Sequence, residues 1–471
     1  MLSKIFPKLR NLKFIEILNK IFRSPYYIGF VAALVCLAEI FSFEFIAYYV
    51  LIVTSIIIPS LLLDDMTAAV PAAVMLHIAM SKKTFDEENT IVLGKNLPHF
   101  FIMMSLVVIF LFGRLIYDLI TNKDRRKHYP RFLIGYGVLL LAYVLGGAFT
   151  KYFDIKTAAF GFREFLSISG FYFYFLYTID WKKFNKEYFA WLFLLFGLAI
   201  SIEVIVMLAQ GAEDIRPGWG VRNDVGGTIA MTIGGAGYLA IKKKAYINWL
   251  FVLISFFLLT VTALTESRGG TAASLLMVVL CLVLVLVLTN WVKRLTTSLL
   301  LVAYIVTMVM LFIFQREFFM KYFGRITDIS FDSLDDYSSG RLSIWKIGLE
   351  HFSSNPIFGV GWYQCTWHYH AFPPRYHNTF IQLMGATGLL GLLGYLFHRF
   401  ETCFVVFKKI TLEKSFALIC IAGLMVANLV DCHFFNIWLG FGYGFLLAFI
   451  EGQEIKRKSD LEVNIQKEQA A

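Results

Sequence analysis

The chain has 471 residues, of which 58% are apolar and 17% aromatic but only 16% charged. Soluble proteins carry nearer a quarter charged residues, so this composition leaves too little polar surface for a soluble fold. The formal net charge of +10 does not indicate nucleic acid binding, because the basic residues concentrate in short loops between apolar runs. Backbone groups in lipid must be satisfied within their own segment, which excludes open sheets. The sequence therefore predicts an all-α polytopic membrane protein.

Apolar runs long enough to cross a bilayer recur along the chain, since each crossing needs about 20 residues. We predict about 12–14 spans, from runs near 26–42, 45–63, 66–80, 99–120, 132–150, 165–180, 189–209, 225–241, 246–265, 271–289, 296–314, 379–397, 415–431 and 434–450. The run at 66–80 is short and contains Pro71, so re-entry is an open alternative there. With the N-terminus inside, most of the 43 Lys and Arg residues lie in cytoplasmic segments, as the positive-inside rule requires.

These spans divide the chain into five predicted parts. They are a basic cytoplasmic segment (1–25), a transmembrane bundle (26–314), a large extracytoplasmic loop (315–378), C-terminal spans (379–450) and a cytoplasmic tail (451–471). The loop contains an amphipathic helix with Leu342, Trp345, Leu349 and Phe352 on one face. An apolar face outside the bilayer needs either the membrane surface or the roof of a cavity to cover it.

Several arginines occur at predicted extracytoplasmic turns of a chain in which each cation near lipid is costly, at roughly 2.5–3.5 kcal/mol. Arg268 lies in TALTESRGGTAAS, at the turn between two spans, and Arg216 and Arg222 lie in EDIRPGWGVRNDVGG. Arg341 begins the amphipathic helix, where the helix dipole disfavours a cation. Plain alternatives remain open for all of them: a polar hairpin tip, a solvated loop or a solvent-facing side chain.

A second polar group precedes the predicted span 379–397, in PPRYHNTFIQLMGATGLLG. Arg375, His377 and Asn378 stand at the start of a helix whose N-terminus would face outside and favour phosphate. A backbone-bonded loop histidine is the alternative for His377. His368, His370 and His377 form only a weak zinc pattern, so we expect no metal site. Together with the arginines, this group predicts anion handling at the outer membrane face.

Three stretches of the chain resemble the O-antigen ligase and polymerase family, the bacterial membrane glycosyltransferases that act on polyprenyl-diphosphate-linked glycans. One is His377-Asn378 followed by Gly388-x-x-Gly391. The second is GRLSIWKIGLEHFSSNPIFGVG (340–361), and the third is SRGG (267–270). The resemblance covers about 265–395.

The resemblance implies a metal-independent, inverting transferase of the GT-C type in the cytoplasmic (inner) membrane, with its active site on the extracytoplasmic face. It implies an undecaprenyl-diphosphate-linked glycan donor, a glycan, lipid or protein acceptor, contact with membrane lipids, and neither cofactor nor nucleic acid. It assigns His377 as general base, Arg268 and Arg341 as diphosphate clamps, and Arg375 and Asn378 as orienting groups. The family has an arginine before an Asn; RPGWGVRND departs from that spacing, which leaves Arg216 and Arg222 both open.

Two possible functions share this donor chemistry. A polymerase joins repeat units of O-antigen, capsule or exopolysaccharide, and a ligase moves the finished glycan to a lipid core or protein; we favour the polymerase. A transporter or flippase for an anionic glycolipid is the alternative of another class. It should show paired repeats with broken helices in both halves, and the sequence shows no such symmetry.

Overall fold

The computed structural model describes residues 13–79, 90–151, 153–212, 215, 222–327, 340–362, 375–435 and 437–470. Within these ranges the chain forms helices and turns and no strand, which confirms the predicted all-α class. The helices are α1 (Lys13–Phe22), α2 (Pro25–Phe41), α3 (Glu44–Leu62, with a π-helical stretch Ile52–Ile57), α4 (Ala69–Met75), α5 (Thr90–Thr121), α6 (Lys123–Lys127), α7 (Leu133–Val144), α8 (Ile155–Thr178), α9 (Tyr188–Ala209), α10 (Arg222–Lys242), α11 (Ala245–Leu264), α12 (Arg268–Leu288), α13 (Trp291–Phe314), α14 (Arg316–Thr327), α15 (Arg341–Ser354), α16 (Thr379–Phe407), α17 (Leu412–Ala427) and α18 (Ile437–Ala470).

Seven helices of the described chain are long and apolar enough to cross a membrane, or eight if α1 and α2, bent by 62°, count as one span. The chain is a multi-pass membrane protein. Shorter or more polar helices occupy the other predicted crossings. At 66–80 the helix α4 has seven residues and continues into a four-residue 3-10 turn. At about 1.5–2 Å per residue, this is too short for a core of about 30 Å, which favours re-entry.

Arg114 lies inside a membrane-crossing helix, α5, and its side chain is fully buried. Its guanidinium donates to Asp118 at 2.8 Å and to four backbone carbonyls of the 59–64 segment at 2.6–3.2 Å. Those carbonyls lie in the last turn of α3 and just beyond it, where helical partners run out; the carbonyl of Pro59 also accepts from the N–H of Leu63 at 3.2 Å. Arg114 therefore satisfies a helix end inside the bundle.

The helix α18 runs on through residues 451–470 of the predicted cytoplasmic tail. Glu451 is buried and fixes this helix to the rest of the bundle. It accepts hydrogen bonds from the backbone N–H of Arg131 (2.9 Å) and the hydroxyl of Tyr172 (2.6 Å), and it pairs with His128 (2.5 Å). We call this the opposite end of the bundle, and the end at which α10 begins the site end.

The predicted span 379–397 is not one straight helix. Gly388 inside α16 has a non-helical φ of 65° and ψ of −157°. In a continuous helix Phe380 and Tyr395 would be about 22 Å apart along the axis, yet their ring centroids lie 5.7 Å apart. The chain therefore folds back at Gly388 into a helical hairpin.

Residues 355–361, which we call the bracing segment, hold this hairpin at its tip. The N–H groups of Val360 and Gly361 donate to the carbonyls of Gly385 and Ala386 at 2.8 and 2.9 Å, at the end of the first arm. At the start of the second arm, the N–H groups of residues 389 and 390 donate to the bracing segment at 2.7 and 3.2 Å. Both broken helix ends thus recover partners. The Asn-Pro…Gly-x-Gly stretch is explained by this contact.

The hairpin places the polar group at its start away from the tip. The first arm runs nine residues from Thr379 to the tip, about 13 Å at helical rise. Its start, with His377 and Asn378, lies beside the segment between α17 and α18.

The amphipathic helix α15 is present where it was predicted, and the protein covers its predicted apolar face only in part. Leu342 and Leu349 are exposed, whereas Trp345 and Phe352 are half-buried. Ile344 and Ile347 pack against the core, and His351 is buried beside them. The helical hairpin of α16, on which α15 packs, determines which side chains of α15 are buried.

Candidate active site

Five parts of the chain meet at the site end: the start of α10, the turn 265–267, the start of α15, and the segments 375–378 and 428–435. The starts of α10 and α12 approach closely because both are glycine there. A Cβ added at Gly226 would lie 2.8 Å from the Cα of Gly270, closer than packed atoms allow. This contact brings Arg222 and Arg268, at the two helix starts, to the same end of the bundle.

Asp431, on the segment between α17 and α18, is the centre of the polar network. Its carboxylate accepts from Nδ1 of His377 (3.0 Å), Nδ2 of Asn223 (2.9 Å) and the N–H of Cys432 (2.7 Å), and Nη2 of Arg341 lies 3.8 Å away. Burial by itself raises the pKa of Asp431. The hydrogen bond from His377 and the charge of His433 outweigh burial and hold this pKa well below its usual range. Asp431 is therefore a carboxylate.

This contact fixes the tautomer of His377. An ionised carboxylate only accepts hydrogen bonds, so Nδ1 of His377 carries the proton, and Nε2 is left with a lone pair in the neutral ring. The backbone of His377 has a φ of 50°, a left-handed conformation that costs of order 1–3 kcal/mol and concentrates at functional sites. About a third of the side chain is exposed. The residue is held in position and reachable.

Three arginines of this end stand at helix starts. Nη1 of Arg222 donates to Glu266 at 2.6 Å, in a pair that is about a quarter exposed. Arg268 is the first residue of α12, and Ser267 before it caps that helix and donates to the side chain of Asn223 at 3.1 Å. Arg341 starts α15, and the nearby charge of Asp431 accounts for a cation at that disfavoured helix position.

The other two predicted site residues in the described chain make structural contacts. Arg375 donates from Nη2 to the carbonyl of Phe435 at 3.4 Å. Asn378 caps α16 by accepting from the N–H groups of residues 380 and 381, and it donates to the carbonyl of Leu429 at 2.8 Å. The predicted phosphate-binding helix start is therefore occupied by its own cap. Both side chains tie the His377 segment to the Asp431 segment.

Three residues named in the sequence analysis, Arg216, His368 and His370, lie outside the described residues. Among the residues that the structure describes, no group of three or more His, Cys, Asp or Glu side chains is arranged to hold a metal ion.

The sequence analysis missed four acidic or polar members of the network. Asp431 is the last residue of the predicted span 415–431. Asn223, Asp224 and Glu266 stand next to arginines that the sequence analysis selected as candidate site residues instead. His433 was also missed; its Nδ1 lies 2.9 Å from Asp224. The sequence Asp-Cys-His between two apolar runs was the signal for Asp431 and His433, because polar residues next to membrane spans are costly and often functional.

The arrangement combines a proton acceptor with several cations. A histidine oriented by a carboxylate is the geometry that activates a hydroxyl or water nucleophile. Arginine forks recognise phosphate oxygens with two parallel hydrogen bonds. The site can therefore deprotonate a hydroxyl while it stabilises a phosphorylated group next to it.

No curated protein matches the chain. Residues 252–396 match the family model described as O-antigen ligase. The matched stretch contains α12, α15 and the first arm of α16, and with them Arg268, Arg341 and His377. The family implies a glycosyltransferase-like enzyme that handles a glycan and lipid-linked substrates. Over this segment, which is less than a third of the chain, the protein is similar to the O-antigen ligase family.

Proposed function

We propose that the protein transfers a glycan from an undecaprenyl-diphosphate carrier to an acceptor hydroxyl, and that it polymerises polysaccharide repeat units. The observation that carries this proposal is the His377–Asp431 pair, which lies among the arginines of the site end. An alcohol is a poor nucleophile, so transfer requires a base close to it. A departing lipid diphosphate requires positive charge.

In the proposed reaction, Nε2 of His377 accepts the proton of the acceptor hydroxyl. The hydroxyl oxygen attacks the anomeric carbon from the face opposite the diphosphate, which inverts that carbon. The bond from this carbon to the diphosphate oxygen breaks, and its electron pair leaves with the lipid diphosphate. Asp431 stabilises the imidazolium formed, as the carboxylate does in a catalytic triad.

Arg222, Arg268 and Arg341 are proposed to bind the diphosphate. A single arginine about 4 Å from one phosphate charge contributes about 4 kcal/mol at an effective dielectric near 20. Two or three such contacts account for a large share of the charge stabilisation that the leaving group needs. Arg375 and Asn378 are proposed to position the base, through their contacts with the Asp431 segment.

The charge distribution supports an extracytoplasmic site in the cytoplasmic membrane. The helix α10 begins at the site and ends at Lys242, at the start of the basic run 242–244. The basic segments 121–131 and 182–186 also adjoin the opposite end, beside Glu451 and the helix that carries it. Basic loops stay in the cytoplasm, so the site end faces outward.

The test is the His377→Gln variant, because glutamine still donates to Asp431 but cannot take up a proton. Its matched control is His128→Gln at the opposite end, where glutamine still bonds Glu451. We expect cells with His377→Gln to give the surface glycan profile of a deletion, at normal membrane levels of the protein, and His128→Gln to give the normal profile. Normal glycan from His377→Gln would refute the base assignment.

The family description favours a second candidate, a ligase that transfers the finished glycan to a lipid core or protein. The same experiment separates the two. Lipid-linked single repeat units accumulate if a polymerase is inactive, and long lipid-linked chains accumulate if a ligase is inactive.

A further inference from the structure

A second histidine is buried beside the proposed base. His433 begins the 3-10 turn His433–Phe435, and only 2% of its side chain is exposed. Its Nδ1 lies 2.9 Å from Oδ1 of Asp224, in the first turn of α10. A Cβ at Gly227 would lie 2.9 Å from the ring of His433, so a glycine at this position makes room for the imidazole.

The surroundings of His433 favour its charged form. The charged groups that face it are Asp224 from α10, Asp431 from its own segment and Arg341 from α15. Burial by itself lowers the pKa of His433, and Arg341 acts in the same direction. The hydrogen bond to Asp224 and the charge of Asp431 outweigh both and raise this pKa above its ordinary value.

Arg341 lies beside Asp431 without a close contact to it. Its Nη2 lies 3.8 Å from Asp431, whereas a charge-assisted hydrogen bond between such groups spans about 2.7–2.9 Å. Asp431 already accepts from His377, Asn223 and the backbone of residue 432. A nearby imidazolium stabilises the negative charge of Asp431, so this charge does not depend on a close contact with Arg341.

We propose that His433 is a buried imidazolium which offsets the charge of Asp431 and so leaves Arg341 available for a phosphate of the donor diphosphate. This inference rests on the proposed function for the identity of the ligand. His433 is a positioning residue, because it acts through Asp431 and Arg341 and does not touch the diphosphate. Without its charge, Arg341 closes on Asp431 and is lost to the ligand.

The sign of the pH dependence follows from the raised pKa. The contribution of His433 is complete at pH values below the ordinary histidine pKa of about 6.5. It is lost as the pH rises through the higher pKa of the folded protein. Diphosphate affinity should therefore fall on the alkaline side.

The experiment measures binding of inorganic pyrophosphate to the full chain in lipid nanodiscs between pH 6 and 9. Because pyrophosphate itself ionises in this range, variants are compared with wild type at each pH. We expect His433→Gln to bind about tenfold more weakly than wild type at pH 6, a difference of about 1.4 kcal/mol, and to approach wild type at pH 9. The control His351→Gln removes a buried histidine that contacts Tyr376 and should keep the wild-type pH dependence.

A double-mutant cycle tests the route through Arg341. Arg341→Gln should weaken pyrophosphate binding in the wild-type background and have little further effect beside His433→Gln, because the two residues act in series. Equal effects of Arg341→Gln in both backgrounds would overturn the inference. So would identical pH dependence in wild type and His433→Gln, or a wild type that does not bind pyrophosphate at all.

A direct titration supplies a readout that does not depend on binding or transfer. In protein with isotope-labelled histidine, the NMR signal absent from His433→Gln should titrate above the ordinary histidine pKa, and Asp224→Asn should lower it. A signal that titrates at or below that value overturns the inference. If His433→Gln does not fold, Asp224→Asn replaces it in the binding experiment. If glycan transfer is never observed but these results hold, the proposed function fails and the inference about His433 stands.

Discussion

Replacement of Asp431 by Asn gives the sharpest test of the site. The variant keeps the shape of the side chain but removes the charge that His377 contacts at 3.0 Å. Hydrogen bonds to charged groups contribute about 1.5–3 kcal/mol, and each 1.36 kcal/mol is a tenfold change in rate. We therefore expect kcat for glycan transfer to fall about 10- to 150-fold. The loss is larger if the amide N–H₂ faces His377, because the ring proton then moves to Nε2 and blocks the base.

The assay is transfer from a lipid-diphosphate oligosaccharide by the reconstituted protein, with kcat and KM determined separately. Asp154→Asn is the matched control: Asp154 caps α8 by accepting from the N–H of Thr157 at 2.9 Å, and Asn caps a helix about as well as Asp. This control should keep wild-type kcat. Folded Asp431→Asn protein with wild-type kcat would show that Asp431 does not orient the base.

Three further predictions concern other parts of the structure. Gly388→Ala should lower the free energy of unfolding by about 1–3 kcal/mol, because its φ is 65° and its Cβ would meet the bracing segment at 2.4 Å; Gly137→Ala, with open space around it, should not lower thermal stability. Arg114→Met should cost about 3–5 kcal/mol because it buries Asp118 and four backbone carbonyls of the 59–64 segment without the guanidinium, and thermal melting of this variant should recover only in part when Asp118→Leu is added, since the carbonyls remain unpaired. Glu266→Gln should tighten pyrophosphate binding up to about fivefold in titration calorimetry, since it releases its arginine partner from a partly exposed pair worth up to about 1 kcal/mol; unchanged or weaker binding would contradict this.

The family match and the fold class followed from local patterns in the chain. Apolar runs of about 20 residues satisfy their backbone only as helices in lipid, so the all-α class needed no knowledge of which helices touch. His377, Arg268 and Arg341 were found because cations and a histidine at predicted helix ends are costly. Their roles remain predictions that the experiments above address.

The partners of these residues were decided by tertiary structure. Asp431 follows His377 by more than fifty positions and was counted at the end of a span, so nothing local indicated that the two would meet. Asp224 and His433 are further apart still, and they meet only because α10 starts beside the turn that precedes α18.

The hairpin of α16 shows the same limit most clearly. Its residues read as one apolar helix, and a glycine within such a run is compatible with either a straight or a broken helix. The break is stable because the bracing segment, distant in sequence from the second arm, supplies hydrogen bonds to both exposed helix ends. The sequence by itself determined that these residues are helical and lie in the membrane. Only the tertiary contacts decided that the chain folds back at Gly388 and that His377 lies among its partners. The free energy of the break depends on hydrogen-bonding groups that no local pattern contains.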